Sequence, residues 1–356
     1  MRVQLGYPLI RAFYVILPIL LTAELLYMFH PFLARLRLPR STVHDSRLRC
    51  HGGDGCFPSI HESLAEDVAE SIRYCRNNSE EMNRQNPRIA TVTAQFGKHQ
   101  NHYARALRTH LVHTLIHDAE LHVLCESIVD DFWNKPAFIL SLLLEELEKP
   151  EDERLEWLFW VDRDTIILDN CRSPASFLPP PAGWAASGSD SGYVNARKDN
   201  PHDDMHLIIS NDWNGLNNGI FLLRVNRWSL DLFDSILAYR HYNPDVKLRF
   251  TEQSAMELLL QEEKFRHNVT LVPQHWINPY PGDFPEDDGV KLDWEFFARP
   301  GDFLVHFAGY EDRDKSMLPW LDIAEERTTG WAAGPTVRKL DYEIAEFWRK
   351  RFSKDP

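Results

Sequence analysis

The run Leu155-Glu156-Trp157-Leu158-Phe159-Trp160-Val161 and the return Thr165-Ile166-Ile167-Leu168 confine this chain to folds built on a buried strand. Both stretches are apolar, aromatic and β-branched. Between them lie Asp162 and Asp164. Side chains two apart on an extended chain point to the same side, so both carboxylates can reach one cation. A carboxylate pair that interrupts such a run must sit at an exposed strand end or be compensated by a metal or a cation. Hard oxygen ligands there suit magnesium or manganese, whose usual protein role is to neutralise phosphate oxygens. That chemistry points to nucleotides or sugar nucleotides. A bare Asp-x-Asp is common as surface charge, so the flanking run is what gives the pair its meaning. Arg163 would point the opposite way, where it could pair with another acid.

A chain of 356 residues, 44% hydrophobic and 12% aromatic, can bury one large α/β core or two small ones. Its 39 basic residues against 53 acidic ones leave a net charge of −14, which argues against a nucleic acid as partner. An acidic protein that handles a diphosphate has to screen the repulsion locally, and a divalent cation does so.

Residues 12–29 are mostly apolar and as a helix would extend roughly 27 Å, about one hydrocarbon core, which makes them a candidate membrane anchor. Pro18 and Glu24 interrupt the stretch, and no small-residue cleavage site follows it. Arg2 and Arg11 precede it while Arg35, Arg37 and Arg40 follow, so flanking charge leaves the orientation open. The sequons Asn77-Asn78-Ser79 and Asn268-Val269-Thr270, with five cysteines, favour a lumenal C-terminal domain. The clustering of Cys50, Cys56 and Cys75 predicts one disulfide among them, with Cys125 and Cys171 as buried thiols.

Residues 35–58 read as a linker, followed by a helix in which Ser59 and Glu62 form a capping box and Ile60, Leu64, Val68 and Ile72 share a face. Residues 88–96 read as a first strand ended by Gly97, and residues 101–117 as its helix, the opening unit of a nucleotide-binding sheet. In that helix His110, His113 and His117 lie near one face. With no acid or cysteine in the same register they read as a solvated or pairing stripe rather than a zinc site. A helix over 136–148, with Phe138, Leu142, Leu143 and Leu147 inward, leads to the Asp162 strand. Residues 207–210 and 219–225 read as strands, separated by a loop over 211–218 whose Asn, Asp, Trp and Gly suit either turn chemistry or a grip on a polyhydroxylated ligand. Helices over 228–239 and 251–261 follow, the second with Thr251 as N-cap and Glu252 in its first turn. Residues 271–273 and 303–307 read as late strands, and His306 inside the second reads by itself as a core residue.

Taken in order, Glu156-Trp157-Leu158-Phe159-Trp160-Val161-Asp162-Arg163-Asp164, Asn214-Gly215-Leu216-Asn217-Asn218-Gly219-Ile220-Phe221-Leu222-Leu223-Arg224, Glu252-Gln253-Ser254-Ala255 and Val305-His306-Phe307-Ala308-Gly309 carry a resemblance. The chain resembles glycosyltransferase family 34, which includes fungal galactosyl- and mannosyltransferases and plant xylosyltransferases. The resemblance implies an α/β fold of the GT-A type, a Rossmann-like mixed sheet flanked by helices, behind an N-terminal membrane anchor. It divides the chain into a cytoplasmic tail and signal-anchor helix over 1–34, a stem with a helix over 35–85, and a catalytic domain over 86–356. It also implies a single-pass type II Golgi membrane protein with a lumenal catalytic domain, manganese or magnesium dependence, and transfer with retention of anomeric configuration.

By position, Asp162, Asp164 and His306 match the family's metal ligands, a mixed set that manganese tolerates. Gln253, with Glu252 beside it, matches residues near the anomeric carbon, and Asp212 joins them in the catalytic set. Asn217, Asn218 and Gly219 fall in the sugar-binding segment, Thr93 and Gly97 at the strand end that holds the nucleotide, and Gly309 and Lys315 in the last donor-binding motif. Two features depart from the family pattern. Arg163 stands where a small residue is usual, and Gly309-Tyr310-Glu311-Asp312-Arg313-Asp314-Lys315 replaces a cysteine-containing stretch, leaving the pyrophosphate cation open between Arg313 and Lys315.

The expected function is transfer of a hexose, galactose or mannose, from a nucleotide-diphosphate sugar such as UDP-galactose or GDP-mannose to a glycan acceptor. Two other classes stay open. One is a catalytically silent, membrane-tethered subunit that stabilises a homologous transferase; the other is a phosphohydrolase using Asp162 and Asp164.

Overall fold

The sheet is organised around the aromatic run. Trp157–Val161 forms strand β4, buried at every position, with Leu158 and Trp160 in the core on one face and Trp157, Phe159 and Val161 in the core on the other. A strand covered on both faces has no solvent side, which is why its sequence is continuously apolar instead of alternating. The computed structural model of the chain describes residues 47–53, 56–57, 62–79, 86–180, 204–282, 296–326 and 337–352.

Around β4 run β1 (Leu48–His51), α1 (Glu62–Asn78), β2 (Ile89–Ala94), α2 (Asn101–Ile116), β3 (Glu120–Leu124) and α3 (Asn134–Glu148). After β4 come β5 (Thr165–Ile167), β6 (Leu207–Asp212), β7 (Gly215–Arg224), α4 (Arg227–Tyr242), α5 (Glu252–Leu259), β8 (Val269–Leu271), β9 (Leu304–His306), α6 (Leu318–Glu325) and α7 (Leu340–Phe352). The seven-stranded sheet has the order β1-β3-β2-β4-β7-β6-β8, and β5 pairs with β9 in a second, two-stranded sheet. Strands β1, β3, β2 and β4 are mutually parallel; β7 is antiparallel to both β4 and β6. The architecture is mixed α/β.

The topology selects a site. From β2 the chain crosses through α2 to β3 on one side, then through α3 to β4 on the other side of β2. Ligands of open α/β sheets bind outside the carboxyl ends of strands where the crossover direction reverses. Here that point lies between the ends of β2 and β4, at Thr93 and Asp162.

Several expectations change. Leu48–His51, within the stretch read as linker, forms an edge strand parallel to β3, and the helix expected after Ser59 packs on α2. Ser59 and Ile60 lie outside the described residues. So does the candidate anchor over residues 12–29; among the described residues no helix is long and apolar enough to cross a membrane. The segment read as a loop over 211–218 is mostly strand: β6 and β7 continue to a hairpin, with Asp212 opposite Gly215, which has a φ of +113°. Asn and Gly suggested a loop, but only Asn214 and Gly215 sit at the tip, while Asn217 and Asn218 lie within β7.

The cysteines pair differently from expectation. Disulfides join Cys56 to Cys125 and Cys75 to Cys171, so the two cysteines read as buried thiols are both bonded. The bridges close 69 and 96 residues, and only the fold brings such distant partners together.

The histidines of α2 are neither solvated nor metal-like. His110 and His113 are buried, at 4% and 3% exposure, and bond through Nε2 to oxygens of Thr165 and Arg172, while His117 bonds to the Asn170 carbonyl. Burial pushes the His110 imidazole down to about 4, against the hydrogen bond to Thr165, and lowers His113 and His117 as well. A histidine that titrates near 6.5 when unfolded but near 4 when folded must gain a proton on unfolding in between. Its stability contribution is therefore complete above pH 6.5 and is lost as pH falls toward 4. His110 alone is worth roughly 3 kcal/mol over that window. Urea unfolding at pH 7, 6, 5 and 4 is expected to show stability falling steadily below 6.5; a flat profile would contradict this account.

Candidate functional site

Asp162 follows β4, and Asp164 leads into β5. The pairing of β5 with β9 sets Thr165 opposite His306, while the Phe307 N–H donates to the Asp164 carbonyl at 3.0 Å. Ligand atoms of Asp162, Asp164 and His306 thereby come within 4.8 Å of one another. Asp164 and His306 are buried; Asp162 is partly exposed.

Each ligand is oriented by a partner. Trp160 Nε1 donates to Asp162 Oδ1 at 2.8 Å, and Lys135 Nζ lies 3.1 Å from the same oxygen, leaving Oδ2 to a cation. His306 Nδ1 is 2.7 Å from Asn278 Oδ1. An amide oxygen only accepts, so Nδ1 carries the proton and Nε2 presents its lone pair on the Asp164 side, 3.4 Å from Oδ1. Arg313 Nε donates to the other Asp164 oxygen at 2.7 Å. Burial would raise the Asp164 carboxyl, but the positive charge packed against it, with Arg313 in direct contact, holds it well below the usual carboxylate range. Two anionic oxygen donors and one imidazole nitrogen, already oriented, fit manganese or magnesium by donor type, manganese better because of the nitrogen.

Gly219 makes this approach possible. Its carbonyl accepts from Asp162 N–H at 2.8 Å, and a Cβ built on it would lie 2.3 Å from His306 Cε1 and 3.0 Å from Asn217 Oδ1. Gly219→Ala is expected to displace the imidazole and lower any activity that depends on this cluster about 100-fold. A turnover assay with a manganese titration checks this, and wild-type metal affinity in the variant would count against it.

Beside the cluster, the predicted residues form one network around a group that sequence reasoning missed. Lys135, in the first turn of α3, is buried, and its ammonium reaches Asn218 O at 3.1 Å, Asn218 Oδ1 at 3.0 Å and Glu252 Oε1 at 3.4 Å besides Asp162. Burial disfavours its charge, yet Asp162 and then Glu252 keep it protonated and raise its pKa. Burial pushes Glu252 upward, with Asp162 adding to the effect and Lys135 opposing it. The preceding Asn134 accepts from the N–H groups of Ile128 and Val129, which fixes where α3 begins. The only sequence signal was a lone cation directly before the apolar stretch Pro136-Ala137-Phe138-Ile139-Leu140.

Gln253 Oε1 accepts from Asn218 N–H at 3.1 Å, which holds the two residues side by side. Thr251 does not cap α5 with its side chain; it has a φ of 52°, a strained non-glycine conformation directly before Glu252 and Gln253. Asp212 Oδ2 accepts from Tyr280 OH at 2.5 Å and from Asn217 Nδ2 at 2.9 Å. Tyr280 and Asn278 had no sequence signal.

Thr93 is buried at the end of β2, and Gly97, at φ +88°, faces open space. Gly309 also has a positive φ and open space beside it. Lys315 is not brought to the centre: it is exposed, and its ion pair is with Asp312 at 3.9 Å. Arg313 takes the central position instead. Arg163 stacks over the Tyr103 ring at 4.4 Å in place of the acid partner expected for it.

A family profile described as the galactosyl transferase GMA12/MNN10 family matches residues 77–316, more than half of the chain. An uncharacterised alpha-1,2-galactosyltransferase of Schizosaccharomyces pombe is 30% identical over 169 residues, covering 43% of this chain and 41% of that protein. The probable alpha-1,6-mannosyltransferase MNN10 of Saccharomyces cerevisiae is 26% identical, covering 43% and 41%, and xyloglucan 6-xylosyltransferase 1 of Arabidopsis thaliana is 28% identical, covering 55% and 44%. The chain thus spans less than half the length of each of these three relatives. Among solved structures, a glycosyltransferase involved in the glycosylation of the major capsid of PBCV-1 aligns with a TM-score of 0.44 at 14% identity, covering 65% of this chain and 98% of that one.

Proposed function

Given that this chain belongs to the galactosyl transferase GMA12/MNN10 family and is a glycosyltransferase, we propose that it is a metal-dependent, retaining hexosyltransferase of the GT-A type. It moves galactose or mannose from a nucleotide-diphosphate donor to a glycan hydroxyl. The observation that carries this reading is the Asp162–Asp164–His306 cluster, with His306 Nε2 turned to Asp164 by its bond to Asn278. A bound manganese or magnesium would neutralise the diphosphate as the nucleotide leaves.

The chain's own groups account for the rest. Asp162, Asp164 and His306 hold the cation, and Arg313, already on Asp164, adds positive charge where the leaving diphosphate builds up negative charge. Lys135 fixes Asn218 and Glu252, and Asn218 in turn fixes Gln253, so the amide beside the sugar is held by a rigid network. Asp212, gripped by Tyr280 and Asn217, is placed to orient a sugar hydroxyl. The acceptor hydroxyl attacks the face from which the nucleotide leaves. The setting belongs to the same proposal: residues 12–29 as a signal anchor, with residues beyond them in the Golgi lumen.

The test is nucleotide release from UDP-galactose, UDP-glucose, UDP-xylose and GDP-mannose, each with manganese or with a chelator. Manganese-dependent release from one donor is the expected result and names the donor class. No release from any donor by folded protein would shift the assignment to a silent subunit. Release from simple phosphate esters would make the chain a phosphohydrolase.

A further inference from the structure

The metal centre has two chemically different sides. On one, Arg313 pairs with Asp164 and Arg163 lies over Tyr103, a cationic border suited to phosphates. On the other, the groups become aromatic, with the Asp212 carboxylate held among them by Tyr280. The Tyr280 ring packs 6.0 Å from the His306 ring, and Trp213 meets Tyr280 edge-on at 4.9 Å and Phe296 at 6.3 Å. Trp213 is 63% exposed at the hairpin tip, directly after Asp212. An indole held by two rings, with most of its surface left to solvent, is an unusual use of the largest apolar side chain.

Phe296 also borders a cavity of about 390 Å³, lined as well by Asn211, Gln274 and His275. Gln274 and His275 are more than nine-tenths buried, yet Gln274 Oε1 and His275 Nδ1 have no hydrogen-bond partner. Buried polar atoms of that kind require a partner. Gln274 Nε2 donates to the carbonyl of Asn278, whose side chain orients His306, so the cavity wall backs directly onto a metal ligand. Its volume is within the range of small-molecule sites. An aromatic face beside two unsatisfied acceptors, Gln274 Oε1 and His275 Nδ1, suits a neutral ring with one apolar face and donating hydroxyls at its edge.

We propose that the acceptor glycan lies across Trp213, with one neutral pyranose stacked on the exposed indole and a neighbouring sugar ring in the cavity along Asn211 and Gln274. This rests on the transferase reading and names where its acceptor binds. The donor diphosphate occupies the cationic side, so the two substrates meet over Asp212 and Gln253.

The experiment uses full-length protein with manganese, the four donors above, and mannobiose, mannotriose or cellopentaose as acceptor. Trp213→Ala is expected to raise the KM of the accepted oligosaccharide about tenfold, the loss of one stacking contact, while the donor KM moves by less than about twofold. Trp213→Phe is expected to recover most of the loss. An unchanged acceptor KM in Trp213→Ala overturns the inference. Saturation-transfer NMR with the same three sugars and no donor supplies a readout independent of turnover. Saturation that disappears in Trp213→Ala supports the proposal; saturation that persists, or none in the wild type, overturns it. A wild type that turns over no donor defeats the transferase reading, and the NMR result still decides this one. A wild-type dimer that dissociates on Trp213→Ala would show the ring to be covered by a second copy.

Discussion

Asp164→Asn is expected to lower transfer by about 1,000-fold or more while leaving the fold intact. Asparagine matches aspartate in shape, so Arg313 and the β5–β9 pairing keep their geometry; what disappears is the charge. Arg313 is partly exposed and can take water as a partner, so the change leaves no fully buried orphan. The melting temperature should stay within a few degrees of wild type, and calorimetric titration should show manganese affinity collapsing in step with turnover. Full activity in the variant would remove the basis for the metal cluster. Loss of activity with unchanged manganese affinity would move the metal elsewhere.

Lys135→Met should have the largest effect on stability of any single change at the site. Among the described residues Lys135 is the one cation in contact with Asp162, Glu252 and Asn218, and Glu252 is almost fully buried. Removing one partner of a buried pair leaves the other charge uncompensated, at a cost of about 3–5 kcal/mol. Methionine fills much of the same volume, so the cost is electrostatic rather than a cavity. The sign of the pH dependence follows. With the lysine gone, the Glu252 carboxyl titrates higher than in the unfolded chain, so the deficit shrinks as pH falls and protonates it. Denaturant unfolding of wild type, Lys135→Met, Glu252→Gln and the double variant at pH 7 and pH 5 measures this. The double variant should be more stable than Lys135→Met alone; additive losses would show that the two groups do not interact.

How much of this was legible depends on whether a residue's neighbours are local. The aspartate pair was, because β4 is a continuous apolar run whose end can be seen in the sequence; the fold class came with the family resemblance, of which that run is one motif. His306 was not readable from its own surroundings: an imidazole in an apolar strand looks like a core residue, and only the ordered motifs of a family resemblance marked it. Its orientation depends on Asn278, whose link to it exists only after folding. Lys135 escaped because helix periodicity sorts apolar from polar faces and does not show what a buried cation touches. The cysteines failed for a related reason, since sequence clustering drew Cys50, Cys56 and Cys75 together while the bridges run to Cys125 and Cys171. In the hairpin, Asn211 to Asn218 carry loop-forming residues because Asp212, Asn217 and Asn218 serve the site, and that composition concealed the strands.

The pairing of β9 with β5 bears on when the metal centre can come into being during synthesis. The aspartates leave the ribosome first, and His306 follows Asp164 by 142 positions, with its orienting amide, Asn278, on that later stretch as well. At ordinary elongation rates that is roughly 7 to 28 s during which the nascent chain carries an acidic pair without its imidazole. Such a pair offers a divalent ion two carboxylates and no third protein donor. In the proposed site, tight metal capture would therefore wait until β9 closes on β5.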